Sequence, residues 1–170
     1  MTLYFTEPID DPLTGAEDFD CGVESLNDWL RGPAIGVERA GLGRTHLWRN
    51  ETRVVAYITL APHDVRQESV ASRNRYGKRD RPVPGYMLAR LALDKALHGQ
   101  GLGTRLLTQA LELVAEASQR AAGRLLVVDA IDDRAAEFYR AHGFKDMRAV
   151  ADDRPQRLYR PIADIIADVT

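Results

Sequence analysis

The chain has 170 residues, of which 45% are hydrophobic, and a formal net charge of -2 at neutral pH. This length suits one well-buried core and is short for two, so we expect a single domain over residues 1–170. The near-neutral charge gives no overall argument for binding nucleic acid or a membrane surface. Cys21 is the one cysteine, which excludes an internal disulfide and a cysteine metal cluster, and no metal is expected.

The hydropathy pattern predicts neither a membrane span nor a signal peptide. No apolar run reaches the length of about 18 residues that a spanning helix needs, and the first residues are acidic rather than basic. Both features favour a cytoplasmic protein. Eight carboxylates and no Lys or Arg lie within residues 1–30, so charge is unevenly distributed along the chain.

The first half of the chain predicts strands around two short helices. "TLYFTEPI" is typical of a short strand, and "AIGVERAG" of a helix that ends in glycine. Between them, "VESLNDWLRG" places apolar side chains on one helical face and Glu24, Asn27 and Asp28 on the other. "THLWRN" and "RVVAYITLAP" then predict a hairpin, which a long polar loop from His63 to Pro84 follows.

The second half alternates strands with helices. "GYMLARLALD" predicts a strand, apolar spacing from Gly101 to about Ser118 predicts a long helix, and "GRLLVVDAI" predicts a strand covered on both faces. "DDRAAEFYRAHGF" predicts a short helix with an acidic N-cap that ends at Gly143. "FKDMRAV" and "QRLYRPI" predict a final strand pair, and the apolar C-terminus predicts a turn. This order indicates an α/β fold.

Three alternating glycines, Gly99, Gly101 and Gly103, precede the long helix in "ALHGQGLGTRLL". The dinucleotide fingerprint does not fit, because Thr104 occupies the place of its third glycine. The phosphate loop of nucleotide triphosphatases does not fit either, because its lysine is missing. A glycine-rich turn before a helix N-terminus suits an anion such as a diphosphate, since the backbone N–H groups can converge on it. A tight strand-to-helix turn is the alternative.

The segment "ARLALDKALHGQGLGTRLLTQAL" resembles the acetyl-CoA-binding motif of the GNAT family of N-acetyltransferases. The resemblance implies one α/β (α+β) domain with a central mixed, mostly antiparallel sheet with splayed strands, flanked by helices, and acetyl-CoA as cofactor. His98 departs from the Gln or Arg usual at the first loop position. "DAIDDRAAEFYRAHGF" resembles the family's second cofactor wall. The cofactor-binding residues implied are Leu91, Ala92, Leu93, His98, Gly99, Gln100, Gly101, Leu102, Gly103, Thr104, Asp132, Ala135 and Phe138.

The same resemblance implies a reaction in which an amine attacks the thioester directly. Backbone N–H groups near Leu91 to Leu93 are then the expected donors to the oxyanion. Tyr139 occupies the position of the family's general acid, and the alternative is an aromatic side chain packed beneath the sheet. No Glu on "RVVAYITLAP" offers a base. Tyr57 and His63 are weak candidates for the base, and a structural role is favoured for each. An α-amine acceptor, which is already partly neutral near pH 7, is favoured.

"FDCGVESLNDWLRG", followed by "VVAYITLAP" and "LARLALD", resembles the GNAT toxins of bacterial toxin–antitoxin pairs. This resemblance implies acetylation of the α-amino group of aminoacyl-tRNA, a homodimer and a small ribbon-helix-helix antitoxin. The residues expected to contact tRNA phosphates are Arg73, Arg75, Lys78, Arg79 and Arg81, with Arg31, Arg39 and Arg44 as further basic groups. A solvated loop is the alternative for the first five.

Two other functions fit the same sequence. One is a GNAT enzyme that acetylates a small amine, an antibiotic or a protein N-terminus. The other is a non-catalytic acyl-CoA-binding regulatory module that keeps the fold without turnover.

Overall fold

The computed structural model describes residues 1–66, 81–148 and 156–170. Within these ranges the chain forms seven strands and five α-helices. In chain order they are β1 (Glu7–Pro8), α1 (Glu24–Arg31), α2 (Pro33–Arg39), β2 (Arg44–Asn50), β3 (Arg53–Val65), β4 (Val83–Leu93), α3 (Leu102–Ala121), β5 (Leu125–Ala130), α4 (Asp133–Ala141), β6 (Lys145–Asp146), β7 (Gln156–Pro161) and α5 (Ile162–Val169). A short 3-10 helix, Lys95–Leu97, follows β4.

The strands form one mixed sheet in the order β1-β2-β3-β4-β5-β7-β6. β1 with β2, β2 with β3, β5 with β7, and β6 with β7 pair antiparallel. β4 and β5 pair parallel, with Gly85 opposite Leu125 and Leu88 opposite Val128. The expected α/β fold with a mixed, mostly antiparallel sheet is confirmed.

The chain divides into two compact units, each with a hydrophobic core. The first unit comprises Met1–Ala61 and Ala89–Ala110. Its core includes Phe19, Leu30, Leu47, Tyr57 and Ala92. The second unit comprises Pro62–Leu88 and Leu111–Thr170, and its core includes Val65, Val83, Leu125, Val127 and Tyr159.

Several predicted elements differ from the structure in their bounds or type. Only Glu7–Pro8 of the predicted first strand forms a strand. β3 continues to Val65 and β4 begins at Val83, so both ends of the predicted loop from His63 to Pro84 belong to strands. At the end of β3, exposed and less exposed side chains alternate, as expected for a strand. The prediction missed this alternation because it considered only the overall polarity of the segment. The predicted C-terminal turn is α5, because Ile162 and Ile165 bury one side of a helix.

Candidate functional site

The glycine stretch forms an open loop between the 3-10 helix and α3. Gly99 and Gly101 have φ angles of 76° and 75°, a left-handed conformation that side chains with a β-carbon rarely adopt. A β-carbon at either position would meet no atom within 4 Å. The space beside both glycines is therefore open to a ligand.

The backbone of this loop offers unpaired donors. Within the described residues, no carbonyl accepts a hydrogen bond from the N–H groups of Gly99, Gly101 or Gly103. α3 is 20 residues long, and its N-terminus adds roughly half a positive charge. The first N–H groups of any α-helix lack a partner within the helix, and Gly99 and Gly101 add two further donors beside open space. The loop therefore fits a diphosphate.

The side chains of the loop fold back on their own segment. His98 Nε2 lies 2.7 Å from the Leu93 carbonyl oxygen, which accepts its hydrogen. Gln100 Nε2 donates to the Ala96 carbonyl at 3.4 Å. Leu102 is buried at the start of α3. The surface that remains for an anion is thus mainly backbone.

The end of β4 alternates between core and half-buried positions. Ala92 is buried in the core of the first unit beside Tyr57, whereas Leu91 and Leu93 are half-buried. Successive side chains of a strand point to opposite faces, so Leu91 and Leu93 share the face that Ala92 does not use.

A polar cluster holds the loop to the N-terminal segment. Asp94 is 3% exposed and accepts from the N–H groups of Ala96 and Asp20 at 3.0 and 3.3 Å, and from Arg53 at 3.2 Å. Lys95 forms an ion pair with Asp20 at 2.7 Å, and its N–H donates to the Asp20 carbonyl at 2.8 Å. These bonds fix the residues that lead into the glycines.

Asn27 completes this cluster and was wrongly predicted to lie on the polar face of α1. It is 7% exposed, accepts from the Cys21 N–H at 2.9 Å and donates to Asp20 Oδ1 at 3.0 Å. The hydrogen bonds from Lys95, the Gly22 N–H and Asn27 hold the pKa of Asp20 well below its usual range. The "FDCG" turn is therefore tied to the loop through Asp20.

The sequence prediction missed the Asp20–Asp94 cluster. Asp94 between a strand and a short helix is a typical N-cap, and that local signal could have found it. The distant partners Arg53 and Asp20 carry no such signal.

Tyr139 lies on α4 among aromatic rings. Its ring packs edge-on against Phe138 and Phe144, with both centroid distances 5.4 Å. Asp132 caps α4 by accepting from the Ala135 N–H at 2.8 Å, as predicted. Ala135 and Phe138 are half-buried, and Asp132 is exposed.

The Tyr139 hydroxyl makes no hydrogen bond to the described residues. The hydroxyl is also not sealed from solvent: among the described residues, the one sealed side-chain polar atom without a partner is His46 Nδ1. The Tyr139 hydroxyl therefore keeps contact with solvent. Burial raises the pKa of Tyr139 above its ordinary value, and the group therefore holds its proton at neutral pH.

Tyr57 and His63 are both engaged by neighbouring groups. The Tyr57 hydroxyl donates to the Leu26 carbonyl at 2.7 Å, and burial raises its pKa, which makes it unsuitable as a base. His63 Nε2 lies 3.3 Å from Arg157, whose guanidinium also binds Asp129 at 2.6 and 2.8 Å. Burial and then the Arg157 charge lower the pKa of His63, so it is neutral near pH 7. Cys21 is buried, and burial raises the pKa of its thiol.

The predicted tRNA-contact residues fall mostly outside the described residues. Arg73, Arg75, Lys78 and Arg79 lie within the undescribed residues 67–80, and Arg81 is exposed. The three further arginines each form an ion pair: Arg31 with Asp28, Arg39 with Asp11, and Arg44 with Glu38. Their charges are therefore partly neutralised. No helix in the described ranges is long and apolar enough to cross a membrane.

Comparison with known proteins places the chain in a family. The model of the acetyltransferase (GNAT) family matches residues 5–144. A tRNA-acetylating toxin of Mycobacterium tuberculosis is 35% identical over 130 residues, which cover 75% of this chain and 78% of that protein.

Two solved structures of the AtaT toxin are similar over nearly the full length. AtaT complexed with acetyl-methionyl-tRNAfMet has a TM-score of 0.84 and 26% identity, covering 99% of this chain and 100% of that one. A tyrosine-to-phenylalanine mutant of AtaT, bound to acetyl-CoA and the C-terminus of the antitoxin AtaR, has a TM-score of 0.80 and 26% identity, covering 98% of each chain. From the family match and the curated relative, the chain belongs to the acetyltransferase (GNAT) family.

Proposed function

We propose that this protein is an acetyl-CoA-dependent N-acetyltransferase toxin that acetylates the α-amino group of an aminoacyl-tRNA and so blocks translation. The observation that carries the proposal is the glycine loop at the start of α3, whose N–H groups bond to no described residue, in a chain 35% identical to a tRNA-acetylating toxin. The similarity to AtaT complexed with acetyl-methionyl-tRNA supports the same acceptor class.

The glycine loop binds the acyl donor in this proposal. The N–H groups of Gly99, Gly101 and Gly103 hold the pyrophosphate of acetyl-CoA, and the open space beside the glycines leaves room for it. The bound donor supplies a thioester whose leaving group is a thiolate. The other proposed cofactor-binding residues are Leu91, Ala92, Leu93, His98, Gln100, Leu102, Thr104, Asp132, Ala135 and Phe138.

Tyr139 acts as the proton donor. Its hydroxyl makes no hydrogen bond to the described residues and keeps its proton at neutral pH, so it is ready to donate to the departing thiolate. Backbone N–H groups at Leu91 to Leu93 donate to the oxyanion. No base residue is assigned, because an α-amino group with a pKa of about 7.7–8.0 is partly neutral at physiological pH.

The assembly and location follow the relatives. We propose that residues 1–170 act as one acetyltransferase domain, that the protein is a cytoplasmic homodimer, and that a small ribbon-helix-helix antitoxin inhibits it. The complex of AtaT with the antitoxin AtaR supports a protein inhibitor. Co-purification with the product of an adjacent reading frame, followed by mass measurement in solution, tests the inhibitor and the dimer together.

An acidic depression of the surface beside the "FDCG" turn would suit a second acceptor class, a small polyamine. The depression is open to solvent and has a volume of about 550 Å³. Its charged lining residues are Glu17, Asp18, Asp20, Glu24, Arg31 and Lys95. Carboxylates outnumber cations there, which suits a cationic ligand.

The deciding experiment is acetyl transfer from labelled acetyl-CoA. The acceptors are mixed charged tRNA, deacylated tRNA, free polyamines and lysine peptides. We expect label on charged tRNA alone, and its loss in Tyr139→Phe. Label on polyamines or peptides would replace the tRNA proposal with the small-amine enzyme. Binding of acetyl-CoA without transfer to any acceptor would indicate the regulatory module.

A further inference from the structure

Arg90 on β4 carries a cation to which the described residues offer no counterion. Its guanidinium lies 3.9 Å from the centroid of the Trp29 ring, and Trp29 in turn stacks on Tyr57 at 5.8 Å and 16°. Within the described residues, Arg90 forms no ion pair and no hydrogen bond. Arg39, Arg49 and Arg157 by contrast each bind a carboxylate.

The stacked arrangement leaves the donors of Arg90 available. A cation–π contact uses the face of the guanidinium, whereas its N–H groups point outward in the plane. Arg90 is half-buried, and its nitrogen atoms are not sealed from solvent. A guanidinium held in place over a ring suits two parallel hydrogen bonds to a phosphate, because its planar fork of donors matches two phosphate oxygens. Partial burial also makes an unpaired cation costly, and a bound anion would remove that cost.

The location of Arg90 connects two segments of the first unit. Arg90 precedes Leu91, and alternation along β4 puts its half-buried side chain on the same face as Ala92, beside Trp29. Trp29 lies on α1, the helix of the "FDCG…LNDWL" element. The face of β4 that carries Leu91 and Leu93 is the opposite one.

We propose that Arg90, held in place by Trp29, binds a phosphate of the acceptor end of the aminoacyl-tRNA. This inference rests on the proposed function. The pyrophosphate of acetyl-CoA is already assigned to the backbone of the glycine loop, which leaves the Arg90 cation for the second phosphate-bearing substrate. Acetyl-CoA is the other possible source of a phosphate, and the experiment separates the two.

The test compares Arg90→Gln and Arg90→Lys with the wild type. Arg120→Gln is the matched control, because it removes the same charge from an exposed arginine near the end of α3 that is already paired with Glu116. Kinetics give the KM of charged tRNA and of acetyl-CoA separately. Binding of charged tRNA is also measured without acetyl-CoA over a salt series, and thermal unfolding shows that each variant is folded.

For Arg90→Gln we expect the KM of charged tRNA to rise about 10-fold or more, with the KM of acetyl-CoA unchanged. The salt dependence of tRNA binding should lose about one unit of slope, since one phosphate contact is lost. Arg90→Lys should keep the slope but bind more weakly, because lysine lacks the planar pair of donors. Arg120→Gln should match the wild type.

Three results would overturn the inference. A rise in the KM of acetyl-CoA alone would assign Arg90 to the donor. Unchanged KM values and slope in a folded Arg90→Gln would make the Trp29 contact purely structural. Wild-type protein that binds no tRNA would remove the inference and the proposed function together. If the wild type is active and Arg90→Gln shows the same salt slope as the wild type, only the inference is removed.

Discussion

The glycine loop of the first unit and the Tyr139 helix of the second are stabilised by different forces. The loop is preceded by hydrogen-bonded and charged groups, with Asp94 buried among donors and Asp20 bound by Lys95. Tyr139 is surrounded by the rings of Phe138 and Phe144, and its hydroxyl has no partner among the described residues. A site made of backbone depends on the groups that hold its shape, whereas a site made of one side chain depends on one atom.

Tyr139→Phe tests the side-chain half of this comparison and carries the largest expected effect. We expect kcat to fall by about 10²–10⁴-fold, the usual contribution of a general acid, while the melting temperature stays near that of the wild type because the hydroxyl forms no bond to the described residues. Stopped assays and thermal unfolding measure the two quantities. An unchanged kcat would show that Tyr139 is only a packed aromatic, because phenylalanine keeps the ring and its packing.

Gly101→Val tests the backbone half. Valine in a left-handed conformation costs about 1–2 kcal/mol or more, and its side chain would occupy the open space beside the loop. We expect the KM of acetyl-CoA to rise about 10-fold with a smaller change in kcat.

Gly36→Ala is the matched control for Gly101→Val. Gly36 lies within α2, has no positive φ and has no atom within 4 Å of its β-carbon position. Alanine there should leave the KM unchanged and stabilise the helix by about 0.5–1 kcal/mol. Equal effects of the two substitutions on the KM would mean that the glycine loop does not bind the donor.

Asp94→Asn weakens the groups that hold the loop. Asparagine loses the charge opposite Arg53 and offers fewer acceptors to the N–H groups of Ala96 and Asp20. We expect the free energy of unfolding in urea to fall by about 1–3 kcal/mol, together with a modest rise in the KM of acetyl-CoA. Asp11→Asn, which breaks an exposed pair with Arg39, serves as control and should change neither value. If the KM of acetyl-CoA is unchanged in Asp94→Asn, Asp94 stabilises the fold but does not affect binding of the donor.

Asp20 should give the smallest effect, visible as a dependence on pH. Its pKa is lowered in the folded protein, so its contribution to stability is present above the ordinary value of about 3.9 and is lost as the pH falls below it. Asp20→Asn should therefore be less stable than the wild type at pH 7, and the difference should shrink as the pH drops below about 4. Urea unfolding from pH 7 to pH 3 measures this. If the difference in the free energy of unfolding between the wild type and Asp20→Asn does not change with pH, the charge of Asp20 and its pair with Lys95 do not contribute to that difference.

Local signals in the sequence were sufficient for most elements. The helical spacing of Leu26, Trp29 and Leu30 predicted α1, and the uninterrupted apolar run of β5 predicted a strand buried on both faces. The same reasoning placed Asn27 on the wrong face of α1, because the pattern shows polarity and not the hydrogen bonds to Cys21 and Asp20 that make burial of an amide favourable. It also made the C-terminus a turn, since an eight-residue apolar segment has no periodicity long enough to decide.

The sequence by itself determined the chemistry that the chain offers: three glycines before a long helix, a tyrosine on a capped helix and no metal-ligand pattern. These are local features, since spacing, caps and glycine conformation act within a few residues. The tertiary structure alone decided which groups meet across long separations, including Asp20 with Asp94 and Trp29 with Arg90. Such contacts depend on how strands and helices pack around a core, and no short stretch of sequence contains that information.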